Sequence, residues 1–409
     1  MALSRWIGIG AAAGIIAALV PVVRGSIDLS DPLGKRAAHE EREKGPDLSG
    51  LDLTRLDLRP RRVTAPLSGG RTAELTLDPV VQRAAMSVMK KYRVPEAGVV
   101  AMDVRSGDVL AYASYVNEGE PFDVNARAGA PAASVFKVVT GAALVEKGGL
   151  NHRAEQCYHG GRSRIDASEL RDDPARDKWC ATLAIAMGRS INVVFGRLAQ
   201  KHLTPEDLTE MGGALGFGAP VPFAVPNEAP RIEIPSDPVE FARTAAGFWN
   251  TTLSPLAAAV MTQTVANGGV ALKPRIVRSV ERGKETLWTD ASGPVVLRRA
   301  LKKGTATEVK EMMVQTIANG SARSTFFDKK GNAFLPNIAV AGKTGTLTDH
   351  KANRHYTWLV AFAPADDPQV AVAAMVVNTP VWHIKAPHLA RETLRAYFSS
   401  RGFDGVSAP

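Results

Sequence analysis

Three short stretches carry residue types that perform acyl transfer when they are brought together. The first is Ser134-Val135-Phe136-Lys137. A spacing of three puts hydroxyl and amine on one helix face, one turn apart. A serine hydroxyl is a weak nucleophile until a neighbouring base takes its proton. A lysine becomes that base when burial and positive neighbours lower its pKa. The positive end of the helix also favours negative charge developing at the serine. The second stretch is Ser190-Ile191-Asn192. A hydroxyl there can relay a proton between Lys137 and a leaving amine, and the Asn192 amide has a donor and an acceptor with which to orient a peptide. Taken alone, the same residues read as helix-cap chemistry. The third is Gly342-Lys343-Thr344-Gly345-Thr346, inside an apolar strand pattern. Glycines in a strand interior often mark close approach by a ligand or another backbone. On an edge strand beside Ser134, this stretch offers a binding rim. Lys343 and the hydroxyls of Thr344 and Thr346 would grip a terminal carboxylate, and the N–H groups of Thr346 and Ser134 would form an oxyanion hole.

Positioning these stretches takes helices and a sheet in a definite order. Asp78-Pro79 is an N-cap with a first-turn proline, and Val81, Ala84, Ala85, Val88, Met89 and Tyr92 succeed it at helical spacing. Two apolar runs, Gly98 to Val104 and Val109 to Ala113, are joined by Arg105-Ser106-Gly107-Asp108 as a hairpin. Ser134 to Lys147 is helical and stops at Gly148-Gly149. Further helices run from Ser254-Pro255 to Asn267-Gly268-Gly269, and from a capping box Thr305…Glu308 to Gly320. Three strands, Ile338 to Leu347, Thr357 to Ala363 and Val370 to Val377, precede a last helix, Pro387 to Ser399. If the five strands join one antiparallel sheet, the terminal helices cover one face and the middle helices the other. The fold class expected is α/β, a three-layer sandwich with a five-stranded antiparallel sheet between helices.

The rest of the chain defines the setting. Residues Trp6 to Val23 are apolar and flanked by Arg5 and Arg24. About 18 residues cover most of a ~30 Å hydrocarbon core, so residues 1–24 are expected to be an N-terminal signal anchor, a single transmembrane helix, with a cleaved signal peptide as the rival. Either reading exports the remainder of the chain. Residues 25–71, with a charge cluster from His39 to Lys44 and no dominant period, read as a stalk or linker with one small packed piece, and 72–405 as the working domain. The net charge is +9, from 50 Lys and Arg against 41 Asp and Glu. The basic residues are dispersed rather than gathered in a stripe, which argues against a nucleic-acid partner and for a surface facing anionic lipid or wall polymer. Cys157 and Cys180 are the two cysteines. Export permits a disulfide between them. Free thiols are the first alternative. A metal site with His159 and His152 is the second, at a spacing that matches no zinc pattern.

Together, and in this order, the three stretches form the signature S-x-x-K, S-x-N, K-T-G, and the chain resembles the penicillin-binding transpeptidases of the penicillin-binding and β-lactamase-like superfamily. The likeness runs from about Thr72 to Phe398. It includes Leu75 to Gln82, the hairpin Val100 to Ser114, Ser254 to Pro274, Gly320-Ser321-Ala322-Arg323 and His355 to Pro364. Cys157 and Cys180 fall where some members carry a cysteine pair. The resemblance implies a peptidoglycan D,D-transpeptidase. Ser134 would attack the D-Ala-D-Ala carbonyl of a stem peptide with Lys137 as base, and Ser190 would pass the proton on. Asn192 would position the acyl chain, and Lys343, Thr344, Gly345 and Thr346 would hold the carboxylate. An amine of a neighbouring stem peptide would then take the acyl group. It implies β-lactams as covalent inhibitors, no metal or organic cofactor, and a catalytic domain outside the inner membrane. Ala132-Ala133 departs from the frequent Pro-Gly before the serine. Gly247-Phe248-Trp249-Asn250 stands where many members have a Gly-Gln-Gly-like loop. The short stalk implies wall-synthesis partners unlike those of division or elongation enzymes. A D,D-carboxypeptidase is the nearest alternative. A β-lactamase lacks its E-x-x-L-N glutamate here, with Asn227-Glu228 the nearest substitute, and a non-catalytic sensor or scaffold is the last.

Overall fold

In the computed structural model, residues 45–161, 164–403 and 405–409 are described. The anchor read at residues 1–24 lies outside them, as does the first part of the stalk. Among the described residues no helix is long and apolar enough to cross a membrane.

The described chain folds around one central sheet. Helix α1 (Pro79–Lys91) begins where the Asp78 carboxylate accepts from the N–H groups of Val80 and Val81. Strands β1 (Glu96–Asp103) and β2 (Val109–Val116) form the expected hairpin. The middle of the chain supplies α2 (Lys137–Glu146), α3 (Leu183–Arg189), α4 (Asn192–His202), α5 (Pro255–Ala266) and α6 (Lys303–Ala318). Strands β3 (Ala341–Asp349), β4 (Arg354–Ala363) and β5 (Val370–Asn378) come next, and α7 (Ala386–Ser399) ends the domain. The sheet order is β3-β4-β5-β1-β2, antiparallel throughout.

Both faces of this sheet are buried, which is why its strands read as nearly continuous apolar runs. Successive side chains alternate between faces. Val100, Met102, Trp358, Val360 and Phe362 pack with α5 and α6 on one side, while Val99, Ala101, Leu359 and Ala361 pack with α1 and α7 on the other. Each large apolar side chain so buried contributes about 1.5–3 kcal/mol. The three layers place β3 at the sheet edge, where its outer side meets the turn that carries Ser134.

A second, smaller sheet runs Asp57–Leu58, Val63–Leu67, Arg71–Leu75, Val277–Arg282, Glu285–Thr289. The boundary placed at 71/72 therefore runs through a strand. Val63, Ala65, Leu67, Ala73 and Leu75 bury one face of this sheet together with Val280. The alternation Val63, Ala65, Leu67 is the signal the sequence carries, masked by Pro66 and by the shortness of the strands. The capping box read at Thr305…Glu308 does not form. Helix α6 begins two residues earlier, Thr305 is buried, and Glu308 accepts from the N–H of His152 and meets its ring at 2.7 Å.

Candidate active site

Ser134 lies in a 3-10 turn, Ala133–Phe136, that leads directly into α2. The turn is entered through Ala133 at φ +50°, a left-handed conformation that costs a non-glycine residue about 1–2 kcal/mol. Neighbouring contacts hold it there. The Trp358 indole N–H donates to the Pro131 carbonyl at 2.9 Å, and the Ala132 N–H to the Thr251 carbonyl at 3.0 Å. The loop after Ala246 closes over the same backbone. A Cβ on Gly247, at φ +83°, would lie 2.3 Å from the Ala133 oxygen and 2.9 Å from the Ser134 Cα, so only glycine permits this approach.

Lys137 sits one turn on, with no exposed surface. Its Nζ is 2.9 Å from Ser134 Oγ and 2.7 Å from Asn192 Oδ1, and it also donates to the Ala246 carbonyl. Burial, and secondarily the charge of Lys343, hold its pKa well below the usual lysine range. Lys343 is also fully buried, and burial brings its pKa down to about 7. Its Nζ donates to Ser190 Oγ at 3.0 Å and to the Thr344 carbonyl at 2.8 Å.

Ser190 is held by the end of α3. Its own N–H bonds the Met187 carbonyl, and the Ile191 N–H reaches back to Ala186 at 2.9 Å. This is the paired bonding of a helix terminus with a left-handed residue, usually glycine, and Ser190 adopts φ 56°, ψ 45° there. Ser190 thus closes α3 through its backbone alone, its hydroxyl meets Lys343 instead of capping a helix, and α4 starts with Asn192 two residues later.

Ser134 and Asn192 border an open cleft of about 920 Å³, lined also by Gly247, Trp249, Thr346 and His350 among others. Thr346 is exposed to it from β3, and Thr344, two residues earlier on the same face of the strand, has its hydroxyl 2.6 Å from that of Ser321. The structure therefore gathers Ser134, Lys137, Ser190, Asn192 and the Lys343–Thr346 segment in one place. Sequence reasoning missed the Ala246 carbonyl that holds Lys137, the Gly247 contact, and Ser321. In sequence Gly247 reads only as a departure from the family pattern, and Ser321 only as part of a family element. Their roles depend on partners distant in the chain, with |i−j| of 109 for Lys137–Ala246 and 23 for Ser321–Thr344.

Next to the site, Cys157 and Cys180 form a disulfide across two paired strands, Glu155–Tyr158 and Trp179–Thr182. His159 is engaged elsewhere: its Nδ1 lies 2.5 Å from Asp177 and 3.1 Å from Arg197. Arg197, fully buried on α4, also donates to the carbonyls of Glu169 and Cys157 and to Asp177, and Asp177 is driven far below the ordinary carboxylate range by these bonds. Glu228 accepts from the Ala128 N–H at 2.8 Å.

A family model described as the penicillin binding protein transpeptidase domain matches residues 97–395. The chain is 27% identical over 379 residues to the peptidoglycan D,D-transpeptidase PbpA of Mycobacterium tuberculosis, covering 83% of this chain and 74% of that protein. It is 24% identical to the stage V sporulation protein D of Bacillus subtilis, covering 87% of this chain but only 54% of that longer protein. The crystal structure of M. tuberculosis penicillin-binding protein A as an imipenem acyl-enzyme superposes with a TM-score of 0.67 at 23% identity, over 80% of this chain and 79% of that one.

Proposed function

This chain belongs to the penicillin-binding protein transpeptidase family, and from that premise we propose that it is a peptidoglycan D,D-transpeptidase acting through a Ser134 acyl-enzyme. The observation that carries the reading is Lys137: fully buried, depressed in pKa, with Nζ 2.9 Å from Ser134 Oγ. As a neutral amine it has two hydrogens, for Asn192 Oδ1 and the Ala246 carbonyl, and a lone pair for the serine proton. Ser134 Oγ then attacks the carbonyl between the two D-alanines. The N–H groups of Ser134 and Thr346 receive the oxyanion. Ser190, whose oxygen accepts from Lys343, gives its hydrogen to the departing D-Ala nitrogen and takes in its place the proton that Lys137 removed from Ser134, so that Lys137 is neutral again and the Ser190 hydroxyl restored. Asn192 positions the acyl chain, and Lys343 with Thr344, Gly345 and Thr346 forms the rim for the terminal carboxylate. The imipenem acyl-enzyme of M. tuberculosis penicillin-binding protein A supports covalent inhibition by β-lactams here too.

The chain as a whole is proposed to be anchored by residues 1–24 in the inner membrane, with 25–71 as the connecting segment and the remainder in the periplasm. The apolar run flanked by Arg5 and Arg24 supports this, and the disulfide fits an oxidising compartment. Membrane fractionation of the full chain against a chain lacking residues 1–24 tests it; equal distribution would reject the anchor.

The catalytic test incubates the full chain and Ser134→Ala with a fluorescent penicillin and with a D-Ala-D-Ala peptide plus an amine. A lasting mass adduct on Ser134, absent from the variant, together with an amide product, is expected. Rapid turnover of the penicillin would make it a hydrolase instead, and the absence of any adduct would leave a non-catalytic binder.

A further inference from the structure

The transpeptidase reading requires a second substrate, and the structure holds a second cavity, which Ser190 borders. It encloses about 570 Å³ and is lined by Tyr158, Gly160, Trp179, Arg189, Ser190 and Ile191. We propose that this cavity seats the acceptor in acyl transfer, and that it selects an acceptor bearing a carboxylate beside its amine. The proposal rests on the transpeptidase reading above.

The large cleft is bordered by Ser134, Asn192 and Thr346, the residues assigned to the donor, whereas the second cavity is bordered by Ser190, whose hydroxyl is bonded to Lys343. The two linings share no residue, so a molecule in the second space borders Ser190 without occupying the lining of the first.

The lining has the chemistry of a binding wall. Trp179 is 59% exposed where it lines the cavity, so its ring is open to a bound molecule. Tyr158 pairs with it across the strands, with ring centroids 6.2 Å apart and planes tilted by 41°. The wall is rigid rather than incidental. The disulfide joins the adjacent residues of the same two strands, Cys157 and Cys180, and buried Arg197 ties the Cys157 carbonyl to Asp177. Arg189, exposed at the last turn of α3, immediately precedes the relay serine. Aromatic faces take aliphatic carbon and attract an amine, and a guanidinium takes a carboxylate in a two-pronged grip. An amino-acid-like acceptor satisfies both at once, its amine directed at Ser190.

The transfer balances simply. An acceptor that arrives as an ammonium loses one proton to solvent. The amine nitrogen then bonds to the acyl carbon as the ester bond to Ser134 Oγ breaks, and the amine's surplus proton passes through Ser190 to restore the Ser134 hydroxyl.

The test uses the full chain, acylated by a D-Ala-D-Ala-type thioester donor, with D-alanine, D-alaninamide or water as acceptor, and reads the ratio of amide to hydrolysis product by mass. Wild type is expected to favour D-alanine. Arg189→Gln is expected to cut that preference about tenfold or more, and Trp179→Ala to lower transfer to both amines in favour of water. Both variants should be acylated by penicillin within about twofold of wild type, which also reports that they are folded. The same product ratio in all three proteins overturns the assignment while leaving the transpeptidase reading intact. Loss of penicillin acylation in step with amine transfer overturns it too, because the cavity would then serve acylation. A wild type that never forms the acyl-enzyme overturns the transpeptidase reading and this one with it.

Discussion

At the residue scale the chemistry turns on how two lysines are kept apart in role. Lys137 Nζ faces three neutral acceptors, and burial with a neighbouring positive charge favours its uncharged form. Lys343 retains its proton up to about 7, which suits a group that draws in a carboxylate. Acylation should therefore rise with pH as Lys137, held well below the usual lysine range by burial, loses its proton, and be opposed above about 7 as Lys343 is neutralised. Rates of penicillin acylation measured across a wide pH range check the sign, and a steady rise into the alkaline range would contradict it. Lys137→Arg keeps the charge and the donors but cannot give up its proton. General-base catalysis contributes about 10²–10⁴-fold, so acylation should drop by that order while the fold, tracked by circular dichroism, persists.

At the element scale, the catalytic side chains are placed by helix ends meeting at very close range. The Ser321 N–H bonds the Gly188 carbonyl at 2.9 Å, and a Cβ on Gly320 would stand 2.1 Å from that same oxygen. The end of α6 is thereby locked to the last turn of α3, two residues before Ser190, while Ser321 holds Thr344 on β3. Gly320→Ala should push α3 away and misplace Ser190. A displacement of about 1 Å costs on the order of 10²-fold in rate, so acylation kinetics should collapse well before the protein unfolds. Unchanged kinetics would show that the α3–α6 contact does not set the site. Little of this contact is legible in sequence: Gly320 reads there as a helix stop, and its close approach to Gly188 exists only once α3 and α6 are packed.

At the scale of the whole molecule, the small sheet shows that the domain starts earlier than its motifs do. Strands Val63–Leu67 and Arg71–Leu75 pair onto Val277–Arg282 and bury Val63, Ala65 and Leu67. A chain starting at Thr72 should lose at least about 3 kcal/mol of stability relative to one starting at Leu48, from the apolar surface uncovered, and chemical denaturation of the two would measure it. Equal stability would mean that these strands are an ornament rather than part of the core.

The order of elements, the doubly buried character of the central strands and the three reactive stretches are all legible in sequence, because each rests on local spacing: period two, period 3.6, or a motif of three to five residues. The tertiary structure alone decided the rest. It supplied the Ala246 carbonyl that completes the shell of Lys137, the left-handed turn that aims Ser190, the Gly247 backbone pressed on Ser134, and the cavity between Trp179 and Arg189. Each of these depends on groups brought together from distant parts of the chain, often backbone atoms that every residue type possesses, and no local pattern encodes such a meeting.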